Sequence, residues 1–97
     1  MLNLISTMIY IVNYDIKEAE RKDAFLNEAK KIGETFHYLP HALFIYSSDT
    51  SKDKSSIYNQ LKHVTTEDDL FIVTRTSLSD MSGWLTSSAV DWLKSHY

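Results

Sequence analysis

The feature that most constrains this chain is an apolar stretch at residues 8–15 that ends on a carboxylate. Its sequence, Met-Ile-Tyr-Ile-Val-Asn-Tyr-Asp, is rich in the β-branched and aromatic residues that favour strands. A strand this apolar is expected inside a sheet, so Asp15 is expected at the sheet edge where the strand ends. Functional sites in α/β folds tend to lie at such an edge. The stretch therefore predicts both the first element of the fold and the first candidate functional residue.

Length and composition favour one small globular domain. The chain has 97 residues, of which 43% are hydrophobic, so it can bury one modest core. The absence of cysteine excludes disulfides and thiolate metal sites, and it suits a cytoplasmic location. The net charge of −3 provides no general attraction to nucleic-acid phosphates. No apolar run approaches the roughly 20 residues of a membrane span, so no membrane partner is expected.

The first seven residues are expected to be a short N-terminal extension, and residues 8–97 a single domain. Residues 1–7 lack the basic start and the small-residue cleavage pattern of a signal peptide. The first predicted strand begins only at Met8, which separates these residues from the domain.

Hydrophobic spacing predicts the element order β-α-β-β-α-β. A helix is expected to begin after an Asp15 cap and to end near Ile32, before Gly33. A last short helix, opened by a capping-box pattern at Ser88, follows as a C-terminal appendage. The remaining elements are predicted at residues 8–14, 35–39, 42–47 and 69–75 for strands and 56–63 for the second helix. This order is typical of the ferredoxin-like arrangement, an α+β fold with an antiparallel sheet.

Both faces of the predicted sheet are apolar or aromatic. Two helices cover only one face, and the C-terminal appendage is too short to cover all of the other. The pattern therefore predicts a homodimer in which one sheet packs against the sheet of a second copy. Five strand residues are predicted at this interface, namely Tyr10, Val12, Tyr14, Phe44 and Tyr46.

Four segments of the chain carry a resemblance to a known family. They are Tyr-Ile-Val-Asn-Tyr-Asp-Ile at 10–16, His-Tyr-Leu at 37–39, Ala-Leu-Phe-Ile-Tyr-Ser at 42–47 and Asp-Asp-Leu-Phe-Ile-Val at 68–73. Together with the basic helix after the first segment, they resemble the CRISPR-associated Cas-two superfamily. The similarity is greatest to small bacterial and phage proteins of the "SinR family", with VapD-like toxin ribonucleases as further relatives. It covers residues 8–94 and implies a ferredoxin-like homodimer.

The resemblance also implies a chemistry. In catalytic relatives, an aspartate that ends the first strand approaches its symmetry mate and helps to hold a divalent metal. Asp15 is the matching position, so the resemblance implies that Asp15 is the catalytic residue and a ligand of Mg²⁺ or Mn²⁺. Such a metal positions water and stabilises charge at a phosphodiester, as an endonuclease for RNA or DNA requires. Arg21 and Lys22, on the following helix, are candidates for contacts with nucleic-acid phosphates.

Each candidate residue also has a structural interpretation. Asp15 could simply cap the first helix, and Arg21 and Lys22 could lie on its solvated face. Because histidine as a residue type can change charge near neutrality, His37 and His41 could be ligands or acid–base groups, or else surface and interface residues.

The acidic balance of the chain and its lack of a dense basic surface favour a second hypothesis. In this alternative the protein is a non-catalytic interaction dimer, phage- or defence-associated, that kept the scaffold and binds another protein.

Two further groups of residues are assigned structural roles. The acidic run at residues 67–69 is expected to form a solvated turn ahead of the last strand. Trp84 and Trp92, each followed by a leucine, are expected to clamp the C-terminal segment onto the core or the dimer.

Overall fold

The computed structural model describes residues 8–49 and 51–96, apart from the Met8 side chain. The predicted N-terminal extension, residues 1–7, lies outside these residues. The described elements are β1 (Met8–Asp15), α1 (Ala19–Ile32), β2 (Glu34–Leu39), β3 (Ala42–Ser47), α2 (Lys54–Lys62), β4 (Leu70–Thr76) and α3 (Ser87–Ser95). A single 3₁₀ turn at Leu78–Asp80 lies between β4 and α3. Among these helices, none is both long enough and apolar enough to cross a membrane.

The four strands form one antiparallel sheet in the order β2-β3-β1-β4. The apolar strand β1 is paired on both sides, which confirms its predicted place inside the sheet. With three helices described, this α+β architecture is compatible with the predicted ferredoxin-like fold.

The two edge strands differ in regularity. The pairing of β2 with β3 shifts between His37 and Leu39, and Pro40 follows directly. The pairing of β4 with β1 is continuous, from Thr76 opposite Ile9 to Leu70 opposite Asp15.

One face of the sheet, called here the helical face, packs against α1 and α2. The predicted inward stripe of α1 is confirmed, since Phe25, Ala29 and Ile32 are its buried residues. Ile57 and Leu61 are the buried residues of α2. With side chains from β1 and β3 they form one hydrophobic cluster, which is the main core.

Gly33 ends α1 for a steric reason. A Cβ atom at this position would lie 2.9 Å from the Tyr46 carbonyl carbon and would clash with its oxygen. The backbone of β3 therefore approaches so closely that only glycine fits at the junction of α1 and β2. At the other end of the chain, Thr86 caps α3 through a bond from the Ala89 N–H, so the predicted cap at Ser88 is wrong.

The predicted homodimer interface combines residues of both sheet faces. Tyr10, Val12 and Tyr14 lie on the helical face and are 0%, 0% and 5% exposed beneath the helices. Phe44 and Tyr46 pack on the other side of the sheet, called here the opposite face. The five residues therefore do not form one surface.

Strand register gives the physical reason for this correction. Val12 pairs with Leu43, and Ile11 pairs with Phe44. Directly opposed residues of antiparallel strands share a face. Phe44 therefore belongs with the odd-numbered residues of β1, not with Tyr10, Val12 and Tyr14.

Most of the opposite face is covered by the chain's own C-terminal segment. Leu93 of α3 forms a buried cluster with Ile9 and Phe44. The Trp92 ring stacks on Phe36 and Phe44, with centroid distances of 5.8 and 5.9 Å. The expected clamp role is thus confirmed for Trp92, whereas Trp84 is 99% exposed and clamps nothing within the described chain.

The cover stops short of one end of the opposite face, called here the open end. One row of paired residues crosses the sheet at this end. In strand order it consists of Leu39 in β2, Ala42 in β3, Asn13 in β1 and Ile72 in β4. Leu39, Leu70 and Ile72 are 53%, 65% and 59% exposed. The open end therefore presents large exposed apolar side chains at both edges of the sheet, Leu39 on β2 and Leu70 and Ile72 on β4, with the polar Asn13 between them.

Candidate functional site at the end of the first strand

Asp15 lies at the open end with its carboxylate accessible. Its side chain is 57% exposed and accepts a hydrogen bond from Lys17 Nζ at 2.8 Å. This bond, with the negative charge of Asp15, raises the pKa of Lys17. Helix α1 begins at Ala19, and its cap residue is Glu18, so the interpretation of Asp15 as a helix cap is wrong. The carboxylate of Asp15 is not needed to begin the helix.

An open hollow lies beside Asp15. Its polar side chains come from Asn13, Asp15 and His41, and its remaining walls include Leu70 and Ile72. His41 is held next to β1 because its carbonyl accepts the Tyr14 N–H at 3.0 Å. Carboxylate and amide oxygens suit Mg²⁺ and Mn²⁺, whereas an imidazole is a more typical ligand of Zn²⁺ and other transition metals. The hollow thus contains suitable metal donors, two of them on one strand.

One described chain does not provide a full metal site. Within residues 8–49 and 51–96, no three His, Asp or Glu side chains are grouped closely enough to hold an ion. A metal at Asp15 would therefore need ligands from another molecule, either water, substrate or a second copy of the chain.

A second carboxylate near the start of β4 has a structural role. The Asp69 side chain is fully buried, although the run at residues 67–69 was expected to be a solvated turn. It accepts hydrogen bonds from Arg21 Nε at 2.8 Å, from the Lys17 N–H at 3.0 Å and from the Thr66 N–H at 3.0 Å. We call this group the Asp69 clasp. It ties the start of α1 to the start of β4.

The electrostatics of the clasp follow from these contacts. The Arg21 guanidinium and the two N–H groups hold the pKa of Asp69 well below its usual range, despite its burial. Arg21 also bonds Glu18 Oε1 at 2.7 Å, so its charge is shared between two carboxylates. Arg21 is therefore used within the protein, whereas its neighbour Lys22 is not part of the clasp.

A tyrosine–histidine pair lies on the helical side of the same strand. The Tyr14 hydroxyl lies 2.6 Å from His37 Nε2. Burial lowers the pKa of His37, and the ammonium groups of Lys22 and Lys30 lower it further. A neutral His37 with Nε2 unprotonated accepts a hydrogen bond from the Tyr14 hydroxyl. Tyr14 also lines the hollow, where its ring lies 6.1 Å from that of His41, but His37 is not among the residues that line it.

The structure brings some predicted site residues together and separates others. Asp15 and His41 share the hollow, while Arg21 and His37 lie elsewhere. The clasp was missed because Arg21 and Asp69 are 48 residues apart in sequence. A local pattern does not indicate such a pair.

The sequence matches no protein-family model and no curated protein. Among solved structures, the chain is similar to the crystal structure of a hypothetical protein from Thermus thermophilus, with a TM-score of 0.59 and 16% sequence identity. The match covers 82% of this chain and 95% of that one. At this identity the similarity concerns the fold, a small α+β domain built on an antiparallel sheet.

Proposed function

We propose that this chain is a Cas-two-like homodimer that acts on RNA or DNA as a metal-dependent nuclease. The observation that carries the proposal is the position of Asp15. It ends the central apolar strand, it is more than half exposed, and it does not cap the helix that follows. A carboxylate so placed can bind a metal cation if the Lys17 ammonium, which now bonds it at 2.8 Å, moves away.

The open end supports association of two copies near this carboxylate. Leu39, Leu70 and Ile72 are large apolar residues that remain more than half exposed. Large apolar side chains exposed in this way favour contact with another protein surface. Contact through the open end would bury them and bring the two Asp15 carboxylates close together. In this proposal the open end replaces the interface predicted from sequence.

A divalent metal fits such an arrangement chemically. Two carboxylates forced together repel one another, and a bound cation relieves that repulsion. Asp15 of both copies would hold Mg²⁺ or Mn²⁺, with Asn13 and His41 of the same hollow as further donors. When bound, the metal would activate water and stabilise negative charge at a phosphodiester. Lys22 remains the candidate for phosphate contacts, because Arg21 is part of the Asp69 clasp.

The test compares Asp15→Asn with Asp23→Asn, a matched change on the exposed surface of α1. Labelled RNA, single-stranded DNA and duplex DNA are incubated with each protein and Mg²⁺ or Mn²⁺, and light scattering measures the oligomeric state. We expect cleavage by the wild type and by Asp23→Asn, and background cleavage by Asp15→Asn in an unchanged dimer. A wild type that cleaves none of these substrates, or an Asp15→Asn variant that is fully active, contradicts the proposal.

A specific observation favours the alternative of a non-catalytic protein-interaction dimer. The chain is acidic overall, and Trp84 is 99% exposed in addition to the apolar residues of the open end. Exposed aromatic residues are common in protein interfaces. This alternative predicts weak binding of nucleic acid at every salt concentration. Tight binding that weakens steeply with salt, measured by fluorescence anisotropy, would count against it.

A further inference from the structure

The end of α3 is fastened to the sheet by His96. Its Nε2 lies 2.9 Å from Glu34 Oε1 in β2, and its Nδ1 lies 2.8 Å from the Trp92 carbonyl oxygen. The Ser95 hydroxyl, 3.0 Å from Nδ1, donates its own proton to the same carbonyl. Both ring nitrogens therefore face acceptors. Only the imidazolium carries a proton on each nitrogen, so this geometry matches the charged form of His96.

The aromatic surroundings also suit a charged ring. The His96 ring lies 4.7 Å from the Tyr46 ring and 4.2 Å from the Trp92 ring, centroid to centroid. Aromatic faces attract cations at such distances. Burial alone would lower the pKa of His96, but bonds to the Trp92 carbonyl and the Glu34 carboxylate outweigh it and raise the pKa.

Glu34 is the charged group that contacts His96 from the elements packed against it. β2 contributes Glu34, and β3 contributes only the phenol of Tyr46. On α3 itself, Asp91 and Lys94 are exposed, and Asp80 of the preceding 3₁₀ turn is bonded to Ser77. The ion pair with Glu34 is therefore the interaction that proton loss from His96 would weaken most.

The helix that His96 fastens is the cover of the opposite face. Beneath α3, Phe44 and Ile9 are buried against Leu93. Residues 81–86, which precede α3, form neither helix nor strand. Met81 and Leu85 of this connection pack against the same cluster, so the cover consists of α3 together with part of the segment that precedes it.

We propose that α3 is a proton-operated cover, held on the sheet by the cationic His96 and released when that ring loses its proton. Release exposes the apolar surface around Phe44. The direction follows from linkage: a group with a higher pKa in the closed state than in the open state stabilises the closed state at low pH. The stabilisation from the His96–Glu34 ion pair is complete below the ordinary histidine pKa. It is lost as the pH rises through the raised pKa of His96.

The experiment uses the full chain with Trp84→Phe, which leaves Trp92 as its only tryptophan. His96 is titrated by NMR, and Trp92 emission is followed over the same pH range. We expect Trp92 emission to shift to longer wavelength as the pH rises, with the same midpoint pH as the titration of His96. That midpoint should lie above the ordinary histidine value of about 6.5. Glu34→Gln should lower both midpoints. Glu67→Gln, an exposed change outside α3 and β2, should move neither.

Amide hydrogen exchange gives an independent measurement of opening. The N–H of Leu93 reports on α3, and that of Val12, in the sheet beneath the helices, corrects for the pH dependence of the exchange chemistry. The opening constant is the ratio of open to closed α3. As the pH rises through the His96 pKa values of both states, linkage raises this constant tenfold for each unit by which the closed-state pKa exceeds the open-state pKa.

Three results would overturn the proposal. One is a His96 midpoint at or below the ordinary value. Another is a midpoint that Glu34→Gln leaves unchanged. The last is a corrected Leu93 exchange rate, or a Trp92 emission, that stays constant with pH while His96 titrates. His96→Gln provides a further comparison, since its opening constant should not change over the pH range in which His96 titrates.

Discussion

The two tryptophans provide a sharp test of how the opposite face is covered. Trp92 stacks on Phe36 and Phe44, with centroid distances of 5.8 and 5.9 Å, and its ring lies 4.2 Å from the tilted ring of His96. Trp84, eight positions earlier, is 99% exposed. We expect Trp92→Ala to destabilise the fold strongly and Trp84→Ala to leave it unchanged, although both changes remove the same side chain.

The magnitude follows from what each ring contacts. Truncation of a buried tryptophan to alanine costs roughly 3–5 kcal/mol, and the partial exposure of Trp92 places it near the lower end, at about 3 kcal/mol. For a domain of this size, each 1 kcal/mol lowers the Tm by about 4–8 °C, so Trp92→Ala should lower it by about 12–24 °C. An exposed substitution such as Trp84→Ala should stay within about 0.5 kcal/mol.

The assay is thermal and urea unfolding, followed by circular dichroism at two protein concentrations. The reasoning is refuted if both variants lose similar stability, or if the loss in Trp84→Ala shrinks as the protein is diluted. Either result would mean that Trp84 is buried between copies, so that a second molecule supplies part of the cover.

Three further predictions concern single side chains. Asp69→Asn should destabilise the fold at pH 7, and the loss should begin to shrink below about pH 3.9 and go on shrinking toward the depressed pKa of Asp69, which the Arg21 guanidinium holds low; urea unfolding at a series of pH values from neutral to strongly acidic measures this. Gly33→Ala should lower the Tm, since the new methyl group would clash with the Tyr46 carbonyl; an unchanged Tm would show that β3 can move away. Lys22→Gln should raise the pKa of His37 in an NMR titration, although burial, the larger cause, would still hold it below the ordinary value.

Much of the fold could be predicted because local patterns determine it. The apolar run of β1, the buried stripe of α1 at Phe25, Ala29 and Ile32, and the strand at residues 42–47 are each visible within a few residues. These patterns depend on side-chain spacing, which does not change when the chain folds. Element ends were less accurate, as the start of α1 at Ala19 shows.

The face assignments could not be predicted because both faces of the sheet are apolar. Tyr14 and Phe44 look equivalent in sequence, yet one packs under the helices and the other under α3. Only the register between β1 and β3 distinguishes them. The same limit applies to the strand-end acids. Asp15 and Asp69 both adjoin apolar strands, but a distant arginine makes Asp69 a buried structural group.

The unequal edges of the sheet restrict how copies of this chain can join through their backbones. A strand that adds to β2 would meet the irregular pairing between His37 and Leu39, and Pro40 has no N–H to offer. β4 presents an uninterrupted row of outward donors and acceptors. When two such rows pair antiparallel, each molecule uses the one regular sheet edge that its described residues form. Growth by that route stops at a closed pair, and a filament cannot propagate.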